Sequence, residues 1–144
     1  MVASKDIISK LPYSHPFLFV DEIIKVDENG IVGIFTFDKG HDFYKGHFKG
    51  FPITPGVILT ETMAQIGVVC LGIFLLGANF SNQMKIALSS TEIEFLKPVF
   101  PNEKVTVTAE KIYFRFGKLK CRVSMTNEAG EEVCSGTIAG ILKN

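Results

Sequence analysis

One stretch of this sequence, residues 57–76, limits the fold more than any other, because it alone has the length and apolar content of a long helix. Pro55 and Gly56 favour its start, and Gly77 is a typical stop signal. After its first two turns the stretch is apolar nearly all round, which predicts burial on most sides. Polar residues interrupt it until Ile66, so the uninterrupted apolar part is short for a membrane span. We expect a buried core helix and no membrane span.

The rest of the sequence favours strands. Segments rich in Val, Ile, Phe and Thr alternate with turn signals such as Asn29-Gly30. The predicted elements are a short helix at 5–10 and strands at 17–26, 31–37, 84–95, 104–114, 119–126 and 132–142. No repeat or linker interrupts them. The sequence therefore predicts a single domain over residues 1–144, of the α+β class, with an antiparallel sheet packed on one helix.

Charge and cysteine content exclude several classes of protein. The 15 basic residues equal the 15 acidic residues, which argues against a nucleic-acid partner. The cysteines Cys70, Cys121 and Cys134 are far apart and form no pattern with histidine, so neither a disulfide framework nor a metal site is expected. The N-terminal residues lack the apolar run of a signal peptide. We therefore expect a cytoplasmic protein with reduced thiols.

The segment before the long helix, residues 40–56, carries the strongest functional signal. Its density of glycine and proline disfavours regular structure, while its aromatic residues disfavour disorder. His47 lies in this segment between Gly46 and Phe48. A tight, apolar setting favours the neutral imidazole, which can act as a base near neutral pH. A single loop histidine is nevertheless more often structural than catalytic.

The start of the long helix supplies complementary groups. The N–H groups of Gly56 and Val57 have no partner within the helix, so they suit an oxyanion or a polarised carbonyl. Glu61, on the second turn, is a costly residue in so apolar a helix unless it is paired or functional. Gln65 follows one turn later and can line or brace the same face. Together with His47, these residues form the set needed to remove a proton next to a carbonyl and expel a leaving group.

The same residues carry a family resemblance that covers nearly the whole chain. The sequence resembles FabZ-type 3-hydroxyacyl-acyl-carrier-protein dehydratases in the motifs Gly46-His47-Phe48-x-Gly50-x-Pro52-x-x-Pro55-Gly56-Val57 and Glu61-x-Met63-Ala64-Gln65. It resembles them also in Leu11-Pro12-x-x-x-Pro16-Phe17-Leu18-x-Val20-Asp21 and Phe95-x-Lys97-Pro98-Val99-x-Pro101. The resemblance implies a hotdog fold, in which a curved antiparallel sheet wraps around one long central helix.

The resemblance also implies roles for individual residues. His47 would take the α-proton, and Glu61 from the partner protomer would protonate the departing β-hydroxyl. Gly56 or Val57 would polarise the thioester carbonyl, and Phe48 and Gln65 would contact the substrate. The implied product is a trans-2-enoyl thioester and water, formed without a metal or redox cofactor. The substrate would be carried on the phosphopantetheine of an acyl carrier protein.

The implied assembly is a homodimer or a trimer of dimers, with active sites at the dimer interface. The pathways served by such enzymes include fatty-acid, lipid A and polyene-type biosynthesis. Basic residues that could meet an acidic carrier are Lys45, Lys49, Lys97, Lys118, Lys120 and Arg122. His15 and His41 are expected to be structural or exposed.

Departures from the family pattern leave both catalytic groups in place. Lys49 stands where many members carry proline, and Asn102-Glu103 replaces a common Gly-Asp pair. Three alternatives stay open: a hotdog acyl thioesterase, a non-catalytic hotdog protein that binds acyl carriers, and a dehydratase that also isomerises the double bond.

Overall fold

The structure, a computed structural model, describes residues 4–144. Its elements are α1 (Ser4–Ser9), β1 (Glu22–Asp27), β2 (Gly30–Thr36), the central helix α2 (Gly56–Asn79), β3 (Lys85–Phe95), β4 (Lys104–Arg115), β5 (Lys118–Thr126) and β6 (Glu132–Lys143). The strands form one antiparallel sheet in the order β1-β2-β4-β5-β6-β3. The predicted α+β architecture of one sheet on one helix is confirmed.

The central helix is not uniform along its length. It is α-helical over Gly56–Ala64, π-helical over Gln65–Cys70 and α-helical again over Leu71–Leu76, and it ends in a 3-10 turn at Gly77–Asn79. The π-helical segment is buried throughout. By length and composition the helix could cross a membrane, but 72% of its most apolar window is buried inside this fold. It is therefore a core helix, as the sequence predicted.

The helix lies against one face of the sheet at close range. Alternate residues of β5, such as Leu119, Cys121 and Val123, are buried against it, while the residues between them face away. Gly67 on the helix allows this approach, because a Cβ there would lie 3.0 Å from the Ala109 side chain. Burial of a Leu or Val side chain in this contact contributes roughly 1.5–3 kcal/mol to stability.

One predicted strand is wrong in its first half. Residues 17–21 were expected to continue the strand 17–26, but β1 begins only at Glu22. The backbone of Phe17 and Phe19 instead bonds to the side chain of Gln65 on the helix. Because those peptide groups bond to the helix, the segment joins β2 only from Asp21, whose N–H donates to the Ile34 carbonyl at 2.9 Å.

The two edges of the sheet differ in how they are covered. At the β1 edge, α1 packs against the strand through buried Ile7, and the Ser4 hydroxyl accepts a hydrogen bond from the Ile23 N–H at 2.8 Å. The β3 edge has no such cover within residues 4–144. It is eleven residues long and exposes the apolar side chains Leu88 and Phe95 by 52% and 50%. A long, apolar, uncovered edge strand favours pairing with a strand of another chain.

Candidate active site

The segment that carries His47 is held by its own backbone. A 3-10 turn at Asp42–Lys45 leads into it, and the His47 N–H donates to the Phe43 carbonyl at 3.0 Å. The Ile53 N–H then donates to the His47 carbonyl at 2.9 Å. Between them the peptide groups of Phe48 and Phe51 bond to each other in both directions. The Gly/Pro-rich segment is thus an ordered loop, as its aromatic content predicted.

A buried pair of side chains joins the two ends of this loop, and a backbone bond ties it to the segment between β3 and β4. The Tyr44 hydroxyl is hydrogen-bonded to the Thr54 hydroxyl, and both residues are almost wholly buried. The Thr54 N–H donates to the Val99 carbonyl at 2.9 Å. Two points on either side of His47 are therefore immobilised. The sequence analysis did not identify this pair, since nothing in the sequence indicates which hydroxyl Tyr44 meets.

The hydrogen bond of His47 decides which ring nitrogen is basic. Its Nδ1 lies 2.8 Å from the Ile53 carbonyl oxygen, which can only accept, so Nδ1 carries the hydrogen. In the neutral ring Nε2 is then unprotonated and is free to take a proton. The ring is half-buried and stacks on Phe48, with centroids 4.0 Å apart. Phe48 thereby fixes the plane of the imidazole while half of its own surface stays exposed.

The helix start directly follows this loop. The Pro55 carbonyl accepts the N–H groups of Ile58 and Leu59, which are the first ones satisfied by the helix. Within residues 4–144, the N–H groups of Gly56 and Val57 make no hydrogen bond. They are free to receive a carbonyl oxygen at the positive end of the helix. A side chain at Gly56 would press on the Phe95 ring at 3.2 Å, so glycine lets strand β3 approach this point.

Glu61 is held by a second buried network. Gln65 donates from Nε2 to the Glu61 carboxylate at 2.9 Å and to the Phe17 carbonyl at 3.0 Å. Its Oε1 accepts the Phe19 N–H at 2.8 Å. Both ends of this fully buried amide are used by protein groups. Of the two roles the sequence left open for Gln65, lining the site or bracing it, the geometry favours bracing.

Burial raises the pKa of Glu61 above its ordinary value of 4.5, and the hydrogen bond from Gln65 opposes that shift in part. The protonated carboxyl is therefore more populated near neutral pH than in an exposed glutamate. In its protonated form, this carboxyl can serve as a proton donor. Tyr13, which the sequence analysis missed, lines the same cavity. Its burial, aided by the charge of Glu61, raises the pKa of Tyr13 to about 12, so its hydroxyl stays neutral.

The structure separates the two candidate catalytic residues. His47 lines a surface cavity with Gly56 and Phe95. Glu61 lines an apolar cavity between the helix and strands β3 and β6, and a second one at the helix start with Gly56 and Val57. None of these three cavities contains both His47 and Glu61, although Gly56 lines the His47 cavity and one of the Glu61 cavities. One copy of the chain therefore holds these two candidate residues in separate cavities, which we call the His47 and Glu61 half-sites.

The other titratable candidates lie elsewhere. His15 and His41 line a cleft near β2, away from both half-sites, and His41 Nδ1 bonds to the Asp38 carbonyl at 2.8 Å. All three cysteines are buried and unpaired. In the part of the chain that the structure describes, no three His, Cys, Asp or Glu residues come together as metal ligands.

Comparison with known proteins identifies the family. A family model described as a FabA-like domain matches residues 11–137. The chain is 34% identical to a 3-hydroxyacyl-[acyl-carrier-protein] dehydratase FabZ from Wolbachia sp. subsp. Drosophila simulans, over 96% of this chain and 95% of the relative. It is 33% identical to FabZ of Thermus thermophilus, over 96% of each chain. The chain belongs to the FabZ-type dehydratase family.

Solved structures confirm the fold of this FabZ-type chain. The dehydratase heterocomplex ApeI:P from Xenorhabdus doucetiae superimposes with a TM-score of 0.80 at 12% identity, over 96% of this chain and 91% of that one. A hypothetical thioesterase with coenzyme A from Streptococcus pneumoniae gives a TM-score of 0.67 at 18% identity, over 99% and 98%. Both likenesses show the fold alone. The predicted hotdog fold is confirmed, and family membership favours dehydration over the thioesterase alternative.

Proposed function

We propose that this protein removes water from a 3-hydroxyacyl thioester carried by acyl carrier protein and forms the trans-2-enoyl thioester. The observation that carries this proposal is the chemical pairing of the two half-sites: His47 offers an unprotonated Nε2, and Glu61 is a carboxyl whose pKa is raised by burial. An elimination requires a base with a free lone pair and an acid that can give up a proton.

The reaction follows from these groups. His47 Nε2 takes the α-proton while the free N–H groups of Gly56 and Val57 stabilise the negative charge that develops on the thioester oxygen. Glu61 gives its proton to the β-hydroxyl, the Cβ–O bond breaks, and water leaves. The enzyme then holds one extra proton on His47 and lacks one on Glu61, so proton exchange with solvent restores both. The thioester itself acidifies the α-proton, so the proposed reaction uses no metal or redox cofactor.

Two copies of the chain complete the site. Phe95 lies at one end of β3 and lines the His47 cavity, while Ile86 and Leu88 lie towards the other end and line the Glu61 cavity. Antiparallel pairing of β3 with β3 brings the Phe95 end of one copy to the Ile86 end of the other. His47 of one protomer then meets Glu61 of its partner. The exposed apolar edge of β3 supports this pairing, and we extend the proposal to a homodimer or a trimer of dimers.

Residues beside the catalytic pair have supporting roles in this proposal. Phe48 orients the imidazole by stacking and flanks the entrance for the thioester. Gln65 positions the Glu61 carboxyl through a hydrogen bond and does not itself contact the substrate. We place the reaction in the assembly of fatty-acid-type chains in the cytoplasm.

Single substitutions test the chemistry. His47→Ala and Glu61→Ala should each lower kcat by about 10²–10⁴-fold, the usual contribution of a general acid or base. His41→Ala is the matched control, because His41 lies in a separate cleft. The product is followed by mass, which separates loss of water from release of the free acid. Release of the free acid would show a thioesterase instead of a dehydratase. Full activity in both variants would show that neither His47 nor Glu61 is catalytic.

A mixed-chain experiment tests the shared site. Inactive His47→Ala and Glu61→Ala chains are unfolded together and refolded at equal amounts. If each site takes one residue from each protomer, every mixed dimer regains one intact site, so about a quarter of wild-type activity returns. If both residues act within one chain, every site lacks one group and no activity returns. That second result would refute the dimeric site while leaving the dehydratase chemistry open to the single-substitution test.

A further inference from the structure

The hydrogen bond that sets the tautomer of His47 depends on one peptide unit, which joins Ile53 to Thr54. The carbonyl of this unit accepts the hydrogen on His47 Nδ1 at 2.8 Å, and its N–H donates to the Val99 carbonyl at 2.9 Å. Because a peptide unit is planar, these two hydrogen bonds share one rigid plane. The direction of the imidazole is therefore coupled to the groups that hold the Ile53–Thr54 peptide unit in place.

The Thr54 side chain provides a second attachment for this peptide unit. Its hydroxyl is hydrogen-bonded to the Tyr44 hydroxyl, and Thr54 and Tyr44 are only 3% and 6% exposed. We call this pair of residues the hydroxyl clamp. Burial raises the pKa of Tyr44 above its ordinary value of 10.0, so its hydroxyl stays neutral near neutral pH and keeps the hydrogen that the pair shares.

The Tyr44 end of the hydroxyl clamp is connected to the main chain of His47. The Phe43 carbonyl accepts the His47 N–H at 3.0 Å, and the Tyr44 N–H of the same peptide unit donates to the His41 carbonyl at 3.2 Å. Tyr44 thus belongs to the peptide unit that holds the main chain of His47, while Thr54 belongs to the peptide unit that holds its ring. The hydroxyl clamp joins these two supports across the loop.

Other buried polar side chains of this protein show what such groups do here. Apart from tyrosine and cysteine, the buried polar side chains within residues 4–144 are Thr54, Thr62 and Gln65. The Thr62 hydroxyl bonds to the Ile58 carbonyl within its own helix, whereas Gln65 holds Glu61. A buried pair of hydroxyls adds little net stability over an apolar pair of the same shape. The geometry that the hydroxyl clamp imposes on the base therefore explains its presence better than stability does.

Thr54 also lies between the base and the groups that receive the thioester oxygen. Ile53, just before it, holds the His47 ring, and Gly56, two residues after it, begins the central helix. The ring of Pro55 fixes the φ angle of the residue between them. Little freedom remains on either side of Thr54, so fixing this residue limits how far His47 can move relative to the free N–H groups of the helix start.

We propose that Tyr44 and Thr54 are positioning residues for catalysis, whose hydrogen bond keeps the hydrogen of His47 on Nδ1 and directs Nε2 at the α-proton. This inference rests on the proposed function, because it takes His47 to be the base. Thr54 borders the His47 cavity, but its burial leaves almost no surface for a substrate to touch. Loss of the hydroxyl clamp should therefore slow the chemical step and leave substrate binding unchanged.

Substitutions that remove one hydroxyl at nearly constant volume test this assignment, with a 3-hydroxyhexanoyl group on acyl carrier protein as substrate. Tyr44→Phe and Thr54→Val should each lower kcat about tenfold and change KM less than about twofold, because a displaced base affects only the reacting geometry. Thr54→Ser keeps the hydroxyl and should retain kcat within about threefold. Thr62→Val is the matched control for a buried threonine hydroxyl, and it should leave kcat within about twofold of the wild type.

The double variant separates positioning from folding. Each single substitution leaves a buried hydroxyl without a partner and lowers stability, whereas Tyr44→Phe with Thr54→Val leaves none and should regain most of that loss in urea unfolding. Its kcat should nevertheless stay about tenfold below the wild type, because the hydrogen bond is still absent. A double variant that regains both stability and kcat would overturn the assignment, since the pair would then serve folding alone. A loss that appears in KM instead of kcat would overturn it as well, by making Thr54 a substrate contact.

The ring of His47 gives a readout that does not depend on turnover. Nitrogen NMR of protein labelled at histidine separates the two neutral tautomers, and the His47 signal is the one that His47→Ala removes. We expect the Nδ1–H tautomer in the wild type and in Thr54→Ser, and a larger share of the Nε2–H tautomer in Thr54→Val. Identical signals in the wild type and Thr54→Val would disprove the role of the hydroxyl clamp. If the wild type dehydrates no thioester, the proposed function fails, and the tautomer measurement still decides whether the clamp holds the ring.

Discussion

Gln65 is the residue whose removal most directly tests how this site is held. Its amide joins the helix to the segment before β1 through the Phe19 N–H and the Phe17 carbonyl, and it also bonds to Glu61. Gln65→Met keeps the length and nearly the volume of the side chain while removing all three hydrogen bonds. The substitution therefore isolates the polar network from packing.

The expected loss of stability follows from the burial of each partner. Phe19 is 1% exposed, so its N–H is left without a partner or water, which costs roughly 1–3 kcal/mol. The Phe17 carbonyl loses a bond worth about 1 kcal/mol, and the half-buried Glu61 carboxyl can recover its bond from water. We expect Gln65→Met to lower the free energy of unfolding by about 2–4 kcal/mol per protomer.

Urea unfolding at one fixed protein concentration measures this loss, since the stability of an oligomer depends on concentration. Thr62→Val is the matched control: Thr62 is fully buried in the same helix, but its hydroxyl bonds to the Ile58 carbonyl one turn earlier and holds no other segment. The control should lose less than about 1 kcal/mol. A Gln65→Met protein no less stable than Thr62→Val would refute the bracing role.

The same variant predicts a change in the pH profile. The hydrogen bond from Gln65 lowers the pKa of Glu61, so its loss leaves burial unopposed and raises that pKa further. Glu61 must be protonated to act as the acid, and activity therefore declines as pH rises through its pKa. The alkaline limb of kcat/KM in Gln65→Met should move to higher pH. A limb that stays in place or moves to lower pH would contradict the assignment of Glu61 as the acid.

Two further predictions concern stability. Because burial raises the pKa of Glu61 in the folded state, the folded protein binds more protons than the unfolded chain between the ordinary value of 4.5 and the raised pKa, and stability falls with pH across that window. Glu61→Gln should remove this fall and should be more stable than the wild type at pH values above that window. Urea unfolding at several pH values measures the difference. Equal stability of the two proteins at high pH would count against a desolvated Glu61 carboxyl. Gly136→Ala should lower the free energy of unfolding by about 1–3 kcal/mol or more, because the added Cβ would overlap the Glu92 carbonyl oxygen. Gly46→Ala is the control: open space surrounds Gly46, so its melting temperature in a thermal melt should be nearly unchanged. Equal melting temperatures for these two variants would show that β3 and β6 are not packed this closely.

The sequence predicted elements well where one local signal was sufficient. The long apolar helix was expected at residues 57–76 and occupies Gly56–Asn79, and the four strands after it differ from expectation by one residue at most at either end. Strong alternation and turn residues define these elements locally. The error at residues 17–21 has a different origin, because a side chain 46 residues away takes the Phe19 N–H that a strand would have used.

The candidate site shows the same contrast between residues with a local sequence signal and contacts that depend on distant residues. His47, Glu61 and the helix start could be proposed as candidates from residue type and spacing, since a carboxyl in an apolar helix is costly and a histidine in a Gly/Pro-rich aromatic loop can act as a base. The Tyr44–Thr54 pair, the contact of Tyr13 with the Glu61 cavity and the π-helical turn at Gln65 could not. They depend on which distant groups the fold brings together, and the sequence pattern carries no separate signal for such pairings.

If the proposed dimer forms, the separation of the two half-sites links the acid strength of Glu61 to assembly. In a single copy, Glu61 is partly open to solvent at the uncovered β3 edge, and burial already raises its pKa. Pairing of β3 with a second copy excludes further water from this carboxyl, and desolvation raises the pKa of a carboxyl further in the same direction. The proposed pairing, which would bring His47 of one protomer to Glu61 of the other, would therefore also favour the protonated form that Glu61 needs as an acid. On this proposal an unpaired chain lacks a base opposite Glu61 and has a more solvated Glu61, so the isolated protomer should be inactive for a geometric and an electrostatic reason.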